Sequence, residues 1–304
     1  MGSLVLAIDL SAHAGDGNAT SLGAGGPILD YRDALIYGVV EGVTEYLPVS
    51  STGHLILVKQ WFGNEGSDEA GKALNAYLIV IQFGAILAVA LLYWRELWAI
   101  ILGLVGMSPR GRLLARNLLI AFFPAALLGF FLDELIDDWL MDDARPVAMA
   151  LLAGAFLMFA AERMRRKREI KEVLAPSVDL SHMKPGSALF IGVLQCVAMW
   201  PGTSRSMMTI VGGYFVGLGP AKAAEFSFLL GLVTLTAAAG YKVVTKGDEM
   251  SEHLELGPVL VGCLVAGVAA ALAVRWLVGY LTRRGLGLFA WYRLVLGVVV
   301  LFWI

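Results

Sequence analysis

The chain has 304 residues, 58% of them hydrophobic and only 16% charged, with a mean hydropathy of +0.74. Charged residues make up roughly a quarter of an ordinary soluble domain, so water is not the main solvent of this chain. A formal net charge of -2 without a long basic tail gives no electrostatic case for nucleic acid as a partner.

Residues 1–30 are Gly/Ala-rich and contain no Lys or Arg, and the run from Leu4 to Ile8 is too short for a signal-peptide core. They read as a flexible lead-in. The next segment, Ala34-Leu-Ile-Tyr-Gly38-Val39-Val40-Glu41, has an echo at Ala188-Leu-Phe-Ile-Gly192-Val193-Leu194-Gln195. Each is followed by a Pro and hydroxyl cluster, Pro48-Val-Ser50-Ser51-Thr52-Gly53 and Pro201-Gly202-Thr203-Ser204-Arg205-Ser206, and one gap aligns the two stretches. Three apolar spans come after each cluster, at 75–93, 117–134 and 147–161, then at 222–244, 257–278 and 288–304. Their lengths approach the roughly 20 residues of a bilayer-crossing helix. Repetition of a whole plan governs every later decision about topology.

Loop charge gives the orientation, because short cytoplasmic loops carry the excess of Lys and Arg. Arg95, Arg110, Arg112 and Arg116 mark one loop as inside, Arg163 to Lys171 with Lys184 the next, and Arg283 with Arg284 the last. The acidic stretches Glu65–Glu69, Asp133–Asp143 and Asp248–Glu255 alternate with them. Under that alternation 34–62 enters and leaves from the outside and 188–216 from the inside, so each is expected to be a re-entrant helical hairpin. The expected fold is therefore an all-α integral membrane protein with inverted-topology repeats, each half one re-entrant hairpin plus three transmembrane helices. Its divisions are repeat one over 31–162, a basic cytoplasmic loop over 163–187 and repeat two over 188–304. In such folds broken helices at matching positions converge near the midplane and carry the site.

The breaks hold the chemistry. Ionisable groups inside apolar segments are expensive, so function is the default reading of Glu41, Glu45 and His54. Glu41 and Glu45 lie four apart on one helix face, where two carboxylates suit a cation or proton transfer. Pro48 cannot continue a helix, and Ser50, Ser51 and Thr52 are suited to cap a second one from about Gly53 to Trp61. That turn offers free N–H groups at the positive end of a helix dipole, an arrangement that favours phosphate. His54 falls in the first turn of that helix and can act as acid, base or nucleophile.

The second break carries Thr203, Ser204, Ser206 and Thr209, the close-approach Gly202 and the cation Arg205, but no carboxylate. A guanidinium can hold phosphate oxygens bidentately and offset charge on a transferring phosphoryl group. The halves are thus chemically unequal, which favours catalysis over symmetric passage. Ser and Thr in membrane helices also commonly bond only to backbone, and Arg205 could serve as counter-ion to Glu45. Arg95, Glu96, Glu225, Lys242, Arg275 and Arg293 lie near span ends and are expected to snorkel to the interfaces without chemistry. Trp94, Trp98, Trp139, Trp291 and Trp303 fit the aromatic belts. Cys196 and Cys263 lack metal or disulfide spacing and read as packing residues.

Glu41-xxx-Glu45 with Pro48-Val-Ser-Ser51-Thr-Gly-His54, followed by Pro201-Gly-Thr-Ser-Arg205-Ser206, resembles the undecaprenyl-diphosphatase family, also called bacitracin-resistance proteins, over about Tyr31 to Ile304. The resemblance implies hydrolysis of undecaprenyl diphosphate to undecaprenyl phosphate and inorganic phosphate, which recycles the lipid carrier for peptidoglycan. It also implies a polyprenyl diphosphate as substrate, surrounding membrane lipids, bacitracin as competitor for that substrate, and a multi-pass place in the bacterial inner membrane with the site facing the periplasmic or extracellular side. It leaves room for a homodimer. Carried over by residue, Glu41 and Glu45 match the acidic motif, Ser51 and His54 the nucleophile or base positions, and Arg205 the phosphate-binding arginine. Ser50, Thr52, Gly53, Gly202, Thr203, Ser204, Ser206 and Thr209 follow as substrate contacts. A divalent cation, Mg2+ or Ca2+, is implied, with Glu41 and Glu45 as its protein ligands. Met207 stands where family members often have a small residue. The nucleophile stays open among Ser51, His54 and water. A secondary transporter or polyprenyl-phosphate flippase on the same architecture is the alternative.

Overall fold

The computed structural model describes residues 30–62, 68–140, 144–171 and 179–303, and every element in it is helical. Apart from Asp30, the expected lead-in lies outside the described residues. A helical pair opens the chain, α1 (Tyr31–Thr44) and α2 (Ser51–Phe62). It begins on a capping box in which the Asp33 amide donates to the Asp30 carboxylate at 2.8 Å, so the first orphan donors of α1 are met locally. The apolar spans follow as α3 (Asp68–Leu92), α5 (Pro109–Leu140) and α6 (Ala144–Lys171). The second pair is α7 (Pro185–Val197) and α8 (Arg205–Phe215), followed by α9 (Pro220–His253), α10 (Leu256–Arg284) and α11 (Gly287–Trp303).

Three expectations need correction. Residues 94–104 form a short helix, α4 (Trp94–Leu104), packed on α5, rather than part of a loop. Arg110, Arg112 and Arg116 lie in the start of α5 and residues 133–140 of the next acidic stretch end it, Arg163 to Lys171 continue α6 instead of opening a loop, and the acidic run Asp248 to His253 ends α9. At the ends of α6 and α9 the helix outlasts its apolar stretch, because charged side chains at a solvated helix end cost the backbone nothing. Third, Arg293 is fully buried, at 0% exposure, and does not snorkel to an interface. Among the described residues α3, α5, α6, α9 and α10 contain windows long and apolar enough to cross a membrane, which makes this a multi-pass membrane protein; α11 is apolar but has 17 residues.

Packing follows an exchanged pattern. α1, the first helix of pair one, packs on α10, and α7, the first helix of pair two, packs on α5. α3 meets α9, and α6 meets α11. Lipid tails are as apolar as leucine, so helices here associate by close contact instead of hydrophobic exclusion. Gly42 and Gly84 show this: a Cβ at either would run into a backbone carbonyl of α10, that of Ala266 or Cys263. Large apolar side chains such as Leu87, Phe123, Phe156 and Leu264 lie on the outer surface, as a lipid-facing shell requires.

Both breaks end on the same backbone feature. Ser50 has φ 74° and Ser204 φ 72°, and these are the non-glycine residues with positive φ among those described. Each precedes the first residue of its helix, and each caps it with its own hydroxyl: Ser50 Oγ accepts from the Gly53 amide at 3.3 Å and Ser204 Oγ from the Met207 amide at 3.3 Å. The gap expected between the two stretches is unnecessary, since one offset in residue number relates Gly38 to Gly192, Glu41 to Gln195 and Ser50 to Ser204. Under it Ser51 and Arg205 are equivalent, each the first residue of its helix. A left-handed non-glycine residue costs roughly 1–2 kcal/mol, and such strain gathers at functional sites.

Candidate functional site

The turns meet at one cavity of about 250 Å³, lined by Glu45, Ser50, Ser51 and Thr52 from the first break and by Pro201, Gly202, Ser204 and Arg205 from the second. Gln82 of α3 adds a further polar group, and Ala198, Met199 and Leu235 make the apolar wall. The turns are also stitched together, Ser206 Oγ donating to the Leu47 carbonyl at 2.8 Å.

At the centre is a chain of three side chains. Arg205 Nη2 lies 3.1 Å from Glu45 Oε1, and the Ser51 hydroxyl donates to Glu45 Oε2 at 2.8 Å. Both charged side chains are nearly enclosed, at 11% and 8% exposure. Their attraction is therefore screened far less than that of a surface pair. Arg205 is fixed further by Nη1 donating to the Ser227 carbonyl at 3.3 Å, and its guanidinium lies 5.4 Å from the centre of the Tyr46 ring. Its Nε is buried and meets no partner. The arrangement can hold a phosphate against a cation while a carboxylate accepts the proton of a neighbouring hydroxyl.

Other expected residues are placed differently. Glu41 is buried at 3% exposure and is not part of the cavity wall; it accepts from Gln82 Nε2 at 3.3 Å, and Gln82 stands at the wall. His54 is turned aside. Its Nδ1 is 2.7 Å from the Ser50 carbonyl and its Nε2 2.7 Å from the Tyr292 hydroxyl, so neither ring nitrogen is directed at the cavity. Thr209 is buried against the Ser227 hydroxyl at 2.6 Å, Thr203 is buried with its amide on the Trp200 carbonyl, and Gly53 serves the Ser50 cap. Sequence reasoning missed Gln82, a lone amide inside an apolar span, and Arg293, whose Nη2 donates to the Gly202 carbonyl at 3.0 Å. Polarity in mid-span is the signal that could have found Gln82. Arg293 reads as interfacial only because it is near the C-terminus.

A divalent ion has few protein ligands to use here. No group of three His, Cys, Asp or Glu residues forms a metal cluster among those described, and both oxygens of Glu45 already have partners. One wall carboxylate backed by a second suits an ion held mainly by phosphate oxygens and water, the usual habit of Mg2+.

The sequence matches the family described as Bacitracin resistance protein BacA over residues 34–299. It is 45% identical over 275 residues to the Undecaprenyl-diphosphatase of Sorangium cellulosum (strain So ce56), a match covering 88% of this chain and 85% of that one. To the Undecaprenyl-diphosphatase of Clostridium tetani (strain Massachusetts / E88) it is 37% identical, over 88% of this chain and 94% of the relative. To the Undecaprenyl-diphosphatase 2 of Rhodospirillum rubrum it is 42% identical, with 88% and 93% covered.

Proposed function

The chain belongs to the BacA family of bacitracin resistance proteins, and from that premise we infer that it is a membrane phosphatase that hydrolyses undecaprenyl diphosphate to undecaprenyl phosphate and inorganic phosphate. The observation that carries the site assignment is the Ser51–Glu45–Arg205 chain on one cavity wall. Arg205 and the first-turn amides of α2 and α8 bind the diphosphate. Ser51 Oγ attacks the terminal phosphorus as Glu45 takes its proton, and the bridging P–O bond breaks. Glu45 then passes the proton to the departing undecaprenyl phosphate. A water gives a proton to Glu45 and attacks the phosphoserine, and as the P–Oγ bond breaks Glu45 returns that proton to Ser51 Oγ, releasing inorganic phosphate and restoring both side chains. Glu41 orients Gln82 at the wall. A divalent cation would be held by Glu45, with Glu41 behind it, and would supply neutralisation of phosphate charge.

The topology assigned to this activity is an inverted repeat of two re-entrant hairpins. Supporting it are the equivalent strained serines, the constant residue offset and the exchanged packing of α1 on α10 and α7 on α5. The enzyme acts in the bacterial inner membrane with the site open to the periplasmic or extracellular side, where bacitracin competes for the lipid. A flippase would need no phosphoryl chemistry, whereas the relatives are named for phosphatase activity.

The test is phosphate release from undecaprenyl diphosphate by the purified protein in detergent, where no gradient exists. Wild type should turn over, and Arg205→Ala should lose on the order of 1,000-fold in kcat, as when a cation is removed from a transferring phosphoryl group. An inactive wild type, or full activity in Arg205→Ala, would overturn the reading.

A further inference from the structure

Neighbouring residues of α11 reach both turns from behind the cavity. The Tyr292 hydroxyl bonds His54 Nε2 at 2.7 Å, and His54 Nδ1 bonds the Ser50 carbonyl at 2.7 Å. A carbonyl can only accept, so Nδ1 carries the proton of a neutral ring and Nε2 accepts from Tyr292. The path from α11 to the first turn is thus two hydrogen bonds long. It ends at the residue with φ 74°.

Arg293 reaches the second turn directly. Its Nη2 donates to the carbonyl of Gly202 at 3.0 Å and to that of Ala150 in α6 at 3.1 Å. Gly202 is itself a positive-φ residue, at 87°, and lines the cavity as Ser50 does. Arg293 is wholly enclosed, its Nε and Nη1 meet no partner, and no carboxylate pairs with it among the described residues. Gly154 of α6 leaves the guanidinium its space, for a Cβ there would collide with Nη2. A buried charge without a counter-ion is a poor stabilising device, since apolar replacement of buried ions is often neutral or favourable. Here it contacts the carbonyl of a residue that lines the cavity.

We propose that Tyr292 and Arg293 form a positioning unit that holds the two catalytic turns in register, Arg293 at Gly202 and Tyr292 through His54 at Ser50. One helix thereby sets where Ser51 and Arg205, the residues that follow the two strained serines, stand relative to each other. Neither residue touches substrate. His54 acts in this unit as a link, which accounts for its orientation away from the cavity.

The activity readout rests on the diphosphatase reading, so two measurements are paired on the full-length protein in detergent: kinetics on undecaprenyl diphosphate, and hydrogen exchange of the amides of residues 199–206 without substrate. Arg293→Met should lower kcat roughly 100-fold, the effect of misplacing reacting groups by about an ångström, with KM within about threefold. Its melting temperature should equal or exceed that of wild type, because an unpaired buried charge has been replaced by an apolar chain. Arg293→Lys, able to reach one carbonyl, should recover about tenfold of the loss, and Tyr292→Phe should lose about tenfold on its own. Exchange at 199–206 should quicken in Arg293→Met. Turnover of Arg293→Met within threefold of wild type would sink the proposal, as would a loss of kcat matched by a fall in melting temperature that Lys does not repair. If wild type itself releases no phosphate, the diphosphatase reading falls alone, and unchanged exchange in Arg293→Met would then dispose of the positioning unit separately.

Discussion

The two broken helical pairs share a strained capping serine and differ in almost everything that reacts. At equivalent places pair one has Glu41, Glu45, Ser51 and His54, where pair two has Gln195, Met199, Arg205 and Met208. Glu45 and Met199 both line the cavity, one as the carboxylate that bridges Ser51 and Arg205, the other as apolar wall. A strained serine that starts a helix is therefore a generic mount, and its chemistry is decided by the next side chain. In pair one that is a hydroxyl beside a carboxylate; in pair two it is a cation. Phosphoryl transfer needs both kinds of group, which is what two copies of one mount can supply once their sequences diverge.

The largest expected effect comes from erasing what only pair one has. Ser51→Ala should lower kcat by about 1,000-fold or more, the scale at which removal of a nucleophile acts, and should leave no acid-stable phosphoryl label on the protein. Residual turnover near wild type would return the role to water or His54. Glu41→Gln makes pair one resemble pair two at Gln195. It should cost only several-fold in kcat/KM, because one hydrogen bond to Gln82 worth about 1 kcal/mol is altered. The smallest effect tests the equivalence itself. Ser50→Ala and Ser204→Ala should each lose a helix cap worth about 1 kcal/mol and lower the melting temperature by roughly 2 °C. Unequal shifts measured by scanning calorimetry would mean that the two turns are alike in shape but not in energetic role.

The membrane spans were legible because apolar runs in a bilayer have a length fixed by its thickness. Their ends were not. The distal part of α6 is rich in Arg and Glu, a composition that reads as loop although the helix carries it into water at no backbone penalty, whereas the mostly apolar α4 has 11 residues, too few to read as a span. Both turns are visible as Pro, Gly and hydroxyl clusters, and a contact between Glu45 and Arg205 is one of the readings their charges permit. What sequence could not give was direction around each helix. Glu41 and Glu45 are one turn apart, yet only Glu45 reaches the cavity; His54 faces Tyr292; and Arg293 faces inward because α11 packs on α6. Helical spacing places residues on a face, whereas the neighbouring helices decide what that face meets.

The modest cavity has a kinetic meaning. At about 250 Å³ it is smaller than the roughly 300–1,000 Å³ of sites that swallow a drug-sized ligand. A site of that size can enclose a head group while the isoprenoid tail stays among the lipids. Encounter and escape are then lateral events in two dimensions, and the rate follows the mole fraction of substrate in the bilayer or micelle instead of its bulk molarity. Diluting the surface with inert detergent at constant total substrate slows such an enzyme, even though nothing in the water has changed.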